Sequence, residues 1–242
     1  ASPQYGTIKS SENYERRFIM TFPNETLPKG RKQKTTALYD RFVNQGAVMG
    51  DSFGLENVLW FANNKEDAHE EPTIKRSRSH DYVSREVINV RENVGLIEVA
   101  NFSKHEFKGT DARKFLDHVM AGKLPKPGRI SLSPMLSYRG KLCGDLTVAC
   151  FDENEFMVFG SGAAQEMHRR WFESHLDKFD VNYKNRSDEF HGISIAGPNS
   201  RKVLEKIVRD DVSNEKFKFR DSRRMFVGCL LYTSDAADEV LG

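Results

Sequence analysis

Two segments of this chain read as copies of one another. Gly109-Thr-Asp-Ala-Arg-Lys-Phe-Leu-Asp-His-Val119 and Gly197-Pro-Asn-Ser-Arg-Lys-Val-Leu-Glu-Lys-Ile207 begin 88 residues apart. Each follows a strand-like run and opens a helix. The inner faces are Ala112, Phe115, Leu116 and Val119 in the first, and Val203, Leu204, Ile207 and Val208 in the second, at the spacing of one helix side. A two-copy strand–helix architecture accounts for the match, and so does shared chemistry at helix starts. Thr110 has the hydroxyl of an N-cap. Pro198 suits the first helical position, where its missing N–H costs little.

The remaining pattern is mixed. A short helix is expected over 35–43, closed by Gly46. Residues 47–62 alternate loosely, and 63–78 is a polar loop around Pro72. Val83, Val87, Val90 and Val94 recur at helical spacing, which predicts a helix over 81–93 stopped by Gly95. Strands are expected over 96–99, 104–108, 142–151 and 156–159, with an alternating segment through Ile130, Leu132 and Pro134. Tyr138-Arg139-Gly140 reads as a turn, and Ile193 with Ile195 as a further strand. Gly160-Ser161-Gly162 breaks the strand before it. Ala163, Ala164, Met167, Trp171 and Phe172 then form a helix face to about His175. Residues 1–26 are polar and aperiodic, like the tail of something upstream. Strands, helices and hairpin turns in this order give an α+β fold, not a strict β–α–β alternation.

Charge and cysteine usage exclude several classes. The 37 basic residues nearly balance the 35 acidic ones, which leaves no electrostatic footprint for nucleic acid. The basic run Lys29, Arg31, Lys32 and Lys34 reads as a solvated linker. No apolar stretch reaches the roughly 18 residues of a membrane span. The N-terminus lacks the basic and apolar regions of a secretory signal. Three cysteines (143, 150 and 229) make neither a disulfide framework nor a zinc pair, and the histidines lack metal-ligand spacing. A reducing, cytoplasm-like compartment fits.

Asp145 stands out as the candidate for chemistry. It lies in Leu142-Cys-Gly-Asp-Leu-Thr-Val-Ala-Cys150, where strand parity puts it on one face with Thr147 and Ala149. Apolar flanks predict a desolvated carboxylate with a raised pKa, of use as an acid or base. A strand-end aspartate capping a turn fits the same spacing. Gly160-Ser-Gly-Ala-Ala-Gln165 partly mimics a dinucleotide fingerprint but lacks the third glycine, so a tight turn is the better reading. Its helix start could still receive an anionic or carbonyl group. Trp60-Phe61 and Trp171-Phe172 are expected in cores, and Cys143 and Cys150 as small hydrophobes.

The wording of longer segments goes further. Lys34-Thr-Thr-Ala-Leu-Tyr-Asp-Arg41 and Gly50-Asp-Ser-Phe-Gly-Leu-Glu-Asn-Val-Leu-Trp-Phe61 resemble the linker that follows the flavin domain in the dimethylglycine and sarcosine dehydrogenase family. Val94-Gly-Leu-Ile-Glu-Val-Ala-Asn-Phe-Ser-Lys-His-Glu-Phe-Lys-Gly109 resembles the opening of the glycine-cleavage T-protein fold. The T-protein has an Asp-Leu-Ser-His-type string where this chain has Ala100 to Lys104. Gly128-Arg-Ile-Ser-Leu-Ser-Pro-Met135 and Gly140-Lys-Leu-Cys-Gly-Asp-Leu-Thr-Val148 resemble the folate-site core. Phe156 to Glu173 and Phe219 to Gly228 look characteristic of the dehydrogenases.

The resemblance implies an α+β, T-protein-like folate-binding fold over residues 79–228. It implies that 1–78 is the end of a flavin-domain region and a linker. It places Asp145 opposite the reactive nitrogens of tetrahydrofolate as the catalytic residue. Leu132, Met135, Asp145, Thr147, Gly160 and Ser161 fall at the folate pocket. Gly144 stands where the T-protein has the first of two aspartates, Leu132 where it has a folate-contacting tyrosine, and Gly160 where it has an asparagine. Tetrahydrofolate is the implied cofactor, with FAD held by an upstream domain and a small N-methyl amine as substrate. A stand-alone aminomethyltransferase and a non-catalytic folate-binding module are the alternatives. Family character stops after Gly228, and residues 229–242 look like a translated sequencing adapter, a non-native tail.

Overall fold

In a computed structural model of the chain, residues 2–23, 25–228 and 230–231 are described, the last two by backbone alone. The tail expected over 229–242 therefore lies almost wholly outside the described residues.

The stretch read as aperiodic opens with helix α1 (Pro3–Glu15). The Oγ of Ser2 accepts a hydrogen bond from the Tyr5 N–H at 3.2 Å, and Pro3 follows at the first position. Ions dock this helix in place of an apolar stripe. Buried Glu12 accepts from the Lys29 N–H at 2.7 Å and from Lys9 Nζ at 3.0 Å. These bonds hold its carboxyl below the usual range against the opposing effect of desolvation. Helix α2 (Tyr39–Asn44) is shorter than the 35–43 segment expected. Strands β1 (Ala47–Ser52) and β2 (Leu55–Phe61) form a hairpin in which Ser52 pairs with Leu55. Its turn residues Phe53 and Gly54 both have positive φ, 54° and 86°, the geometry of a type I′ turn. Buried Trp60 packs on Tyr82 with ring centroids 4.9 Å apart.

Arg31 departs from the solvated-linker expectation, whereas Lys29, Lys32 and Lys34 are exposed. Arg31 donates Nε to Oε1 of buried Glu56 at 2.9 Å, and Nη2 to the Met49 carbonyl at 2.9 Å.

Helix α3 (Ser79–Glu92) begins the second part, and none of its residues is fully buried. There follow β3 (Gly95–Glu98), β4 (Phe102–Lys108), α4 (Ala112–Val119), β5 (Arg129–Leu136), β6 (Leu142–Asp152), β7 (Glu155–Ser161), α5 (Gln165–Glu173), β8 (Asn182–Asn185), β9 (Ile193–Ala196) and α6 (Ser200–Ile207). Short strands β10 (Phe226–Val227) and β11 (Leu230–Leu231) pair with each other. The main sheet has the order β5-β6-β7-β4-β8, antiparallel throughout.

The sequence repeat is a structural repeat. Gly109 and Gly197 both take positive φ, 144° and 115°. A Cβ there would lie 2.3 Å from the Asp180 carbonyl oxygen and 2.5 Å from that of Asn93, so both positions require glycine. The Asp111 N–H donates to the Asp180 carbonyl at 3.2 Å, and the Asn199 N–H to the Asn93 carbonyl at 2.9 Å. Both helices close alike, Met120 N–H on the Leu116 carbonyl and Val208 N–H on the Leu204 carbonyl, each at 2.9 Å. The copies also exchange strands. β3 of the first pairs with β9 of the second, and β8 of the second pairs with β4 of the first.

Two local expectations fail at these helix starts. Thr110 does not cap α4. Asp111 is the N-cap, without a side-chain bond, and the Thr110 hydroxyl donates to Asp180 Oδ2 at 2.7 Å. Pro198 lies in the turn before Asn199, which holds the N-cap position of α6 without a side-chain bond to the helix.

The core lies on one face of the main sheet. Phe107, Leu146, Val148, Phe156 and Val158 meet Phe115, Leu116 and Val119 of α4 and Phe172 of α5. Each such large side chain contributes roughly 1.5–3 kcal/mol of burial. His168, not Met167, joins Phe172 on the buried side of α5; Met167 is exposed. Trp171-Phe172 is core and margin, as expected, and Cys150 is buried with its thiol pKa pushed up by that burial.

Candidate functional site

The site is made by two strands parting. β6 and β7 pair from Cys150↔Phe156 to Thr147↔Phe159. Beyond that pair, Leu142 to Leu146 bond only with β5, while Gly160 and Ser161 pair with Ser103 and Phe102 of β4. The split opens a cleft of about 240 Å³ walled by Phe102, Asp145, Thr147, Phe159, Gly160 and Ser161. Asp145 and Thr147 share a face of β6, as parity predicts.

Asp145 is exposed, and its carboxylate has no hydrogen-bond or ion-pair partner among the described residues. The desolvation expected from its apolar neighbours therefore does not arise, because those neighbours face the opposite side of the sheet. Nor does it cap a turn. It is an exposed carboxyl group within β6, just past the last β6–β7 pair, and open to whatever enters the cleft.

The other expected site residues divide. Thr147, Gly160 and Ser161 line the cleft. Leu132 pairs with Thr147 and is 60% exposed on the flank of the same face. Met135 is fully buried in the core on the other face, so it cannot touch a ligand in the cleft. Three positions apart in one strand, Leu132 and Met135 face opposite ways.

Sequence reasoning missed Asn101, Phe102 and Phe159. Phe102 is 47% exposed at the mouth. Its place is fixed by Lys104, whose buried ammonium donates to the carbonyls of Phe102 at 2.7 Å and Ala100 at 3.1 Å. Burial pushes the Lys104 pKa down. Ala100 to Lys104 is also the string where the chain parts from the T-protein wording, the one signal that could have found them. A second cleft, of about 370 Å³, shares Asn101, Phe102 and Ser161 with the first. It runs to Phe53 on the β1–β2 turn and to Phe190, and joins the N-terminal hairpin to the sheet.

Beneath the split lies a buried polar cluster. His105 and His168 are almost wholly buried with ring centroids 6.2 Å apart, and His105 Nδ1 lies 2.9 Å from the Tyr183 hydroxyl. Burial, reinforced by the neighbouring imidazole, pushes His105 down to about 4. Burial raises the Tyr183 phenol well above its ordinary range.

An antiparallel sheet built from two strand-exchanging copies, with a carboxylate at a parted strand pair, defines a T-protein-type module. The chain belongs to the GCVT N-terminal domain family, which matches residues 38–232. It is 32% identical over 235 residues to human mitochondrial dimethylglycine dehydrogenase, covering 96% of this chain and 27% of that protein. It is 29% identical over 181 residues to an aminomethyltransferase of Thermosipho melanesiensis, covering 74% of this chain and 45% of that one. The fold matches the crystal structure of aminomethyltransferase T from Bartonella henselae with a TM-score of 0.57 at 19% identity, over 72% of this chain and 43% of that one. The chain thus spans about a quarter of the dimethylglycine dehydrogenase it matches. Among the described residues, no helix is long and apolar enough to cross a membrane.

Proposed function

We propose that this chain is the folate-binding portion of a flavin-dependent enzyme that demethylates a small N-methyl amine and passes the one-carbon unit to tetrahydrofolate. Residues 1–78 would be the end of the flavin region with its linker, and 79–228 the folate module. The observation that carries the reading is Asp145, an unpaired carboxylate at the mouth of a cleft with aromatic walls.

The residues suit a reduced folate. Phe102 and Phe159 offer flat apolar surface to a bicyclic ring. Asp145 can accept a hydrogen bond from a ring nitrogen. If that nitrogen added to an iminium carbon, the C=N π pair would pass to the amine nitrogen, the folate nitrogen would become cationic, and Asp145 would take its proton. Asp145 would return that proton to the departing demethylated amine, and closure on the second nitrogen, with loss of that nitrogen's proton to solvent, would give 5,10-methylenetetrahydrofolate. Acid–base help of this kind is worth ~10²–10⁴-fold in rate. A bound flavin supplies the oxidation of the N-methyl group. The turn Gly160–Gly162 is not offered as its site, because its strand is antiparallel to both neighbours.

Titrating the 242-residue chain with tetrahydrofolate tests the reading. The wild type binds, and Asp145→Ala binds at least about tenfold more weakly, the loss of one charge-assisted hydrogen bond. Equal affinity of the two overturns the assignment.

A further inference from the structure

We propose that His168 is a positioning residue, a wedge that holds β6 and β7 apart and so sets where Asp145 stands. The role in ligand binding rests on the folate reading above; the role as a wedge does not.

The ladder between β6 and β7 ends at Thr147↔Phe159. Past that point nothing in the sheet ties the Asp145 lip to the Gly160–Ser161 lip. The imidazole of His168, only 2% exposed, fills the gap from below. Its contacts reach both lips. A Cβ added to Gly144 would lie 2.8 Å from His168 Nε2, and one added to Gly160 would lie 3.0 Å from Nδ1. The ring is therefore seated between two glycines, one beside Asp145 and one beside Ser161. A side chain at Gly144 would press on the ring, and one at Gly160 would press on Leu146 at 2.6 Å as well as on the ring.

His168 also makes a bond the sheet leaves open. The β5–β6 register passes from Met135↔Gly144 to Leu136↔Leu142, so Cys143 is bulged out of the ladder. His168 Nε2 lies 3.2 Å from the Cys143 carbonyl oxygen and donates to it. A donating Nε2–H fixes the neutral tautomer, and burial favours that neutral form. The wedge is anchored two residues before Asp145.

The test uses the 15N-labelled 242-residue chain with His168→Leu, which fills space without a donor, and His168→Gln, which keeps a side-chain N–H. In His168→Leu the amide resonances of Gly144, Asp145, Gly160 and Ser161 move, while those of 148–150 and 156–158 hold. In His168→Gln, Gly144 and Asp145 return toward wild type. Tetrahydrofolate affinity falls about tenfold in the first and recovers in the second. Unmoved lip resonances in a folded His168→Leu overturn the wedge, as do shifts spread evenly over the sheet. If wild type does not bind tetrahydrofolate, the folate reading fails and the amide shifts still decide the wedge. Should His168→Leu not fold, the imidazole 15N shifts of the wild type decide: Nε2–H supports the anchor and Nδ1–H overturns it.

Discussion

The ammonium of Lys104 lies 2.7 Å from the carbonyl oxygen of Phe102, inside the protein, and a second bond at 3.1 Å reaches the carbonyl of Ala100. One side chain therefore closes the loop that presents Asn101 and Phe102 to both clefts. Replacing it by methionine keeps the volume and deletes both donors, leaving two carbonyls short of a partner. Lys104→Met is expected to lower stability by about 1–3 kcal/mol in urea unfolding. It should also weaken tetrahydrofolate binding beyond what the lost stability explains.

His105 sets an acid limit on the fold. Its pKa in the folded protein is about 4, below the unfolded value of 6.5, because burial disfavours the cation. Between those values the unfolded chain holds more protons, so stability is full above about pH 6.5 and falls toward pH 4. The group contributes on the order of 3 kcal/mol to that fall. His105→Gln removes the titration. Chemical unfolding of both proteins from pH 7 to pH 4 should show a shallower decline for the variant.

Arg31 and Glu56 join the N-terminal segment to its hairpin. Glu56 is buried, and Arg31 supplies a fork of donors to it and to Met49. Arg31→Ala strands the carboxylate and should cost about 3–5 kcal/mol. Arg31→Lys should recover only part of this, since an ammonium cannot reproduce the fork. Thermal unfolding of the three proteins checks the order.

The repeat predicts matched substitutions. Gly109→Ala and Gly197→Ala each drive a Cβ against a carbonyl of the other copy, and each should cost more than about 1 kcal/mol. Gly6 in α1 has open space around it, and Gly6→Ala should stabilise by about 0.5–1 kcal/mol. Denaturant midpoints distinguish these outcomes.

Much of the fold was legible because its signals are local. Glycines at forced backbone angles and apolar residues at helical spacing mark both copies, and parity put Asp145 with Thr147. Helix α1 was not legible, since ion pairs around Glu12 dock it and leave no apolar stripe to read. The cap at Thr110 failed because Asp180, 70 residues away, competes for its hydroxyl. The openness of Asp145 was hidden for a related reason. It follows from where the β6–β7 ladder stops, a property of the pairing and of His168 beneath it. Met135 entered the expected site through the family wording although parity with Leu132 places it in the core.

Under the proposed function, the role of Asp145 is tested most directly by two rates measured together in the flavin-dependent enzyme of which this chain would be a portion: oxidation of the N-methyl amine, and tetrahydrofolate-dependent formation of 5,10-methylenetetrahydrofolate. Asp145 is exposed and unpaired, so Asp145→Ala should leave stability within about 0.5 kcal/mol of wild type. It should lower the folate-coupled rate by ~10²-fold or more while amine oxidation stays near its wild-type value. Equal loss of both rates, or no loss of either, would contradict the placement of one-carbon transfer at Asp145.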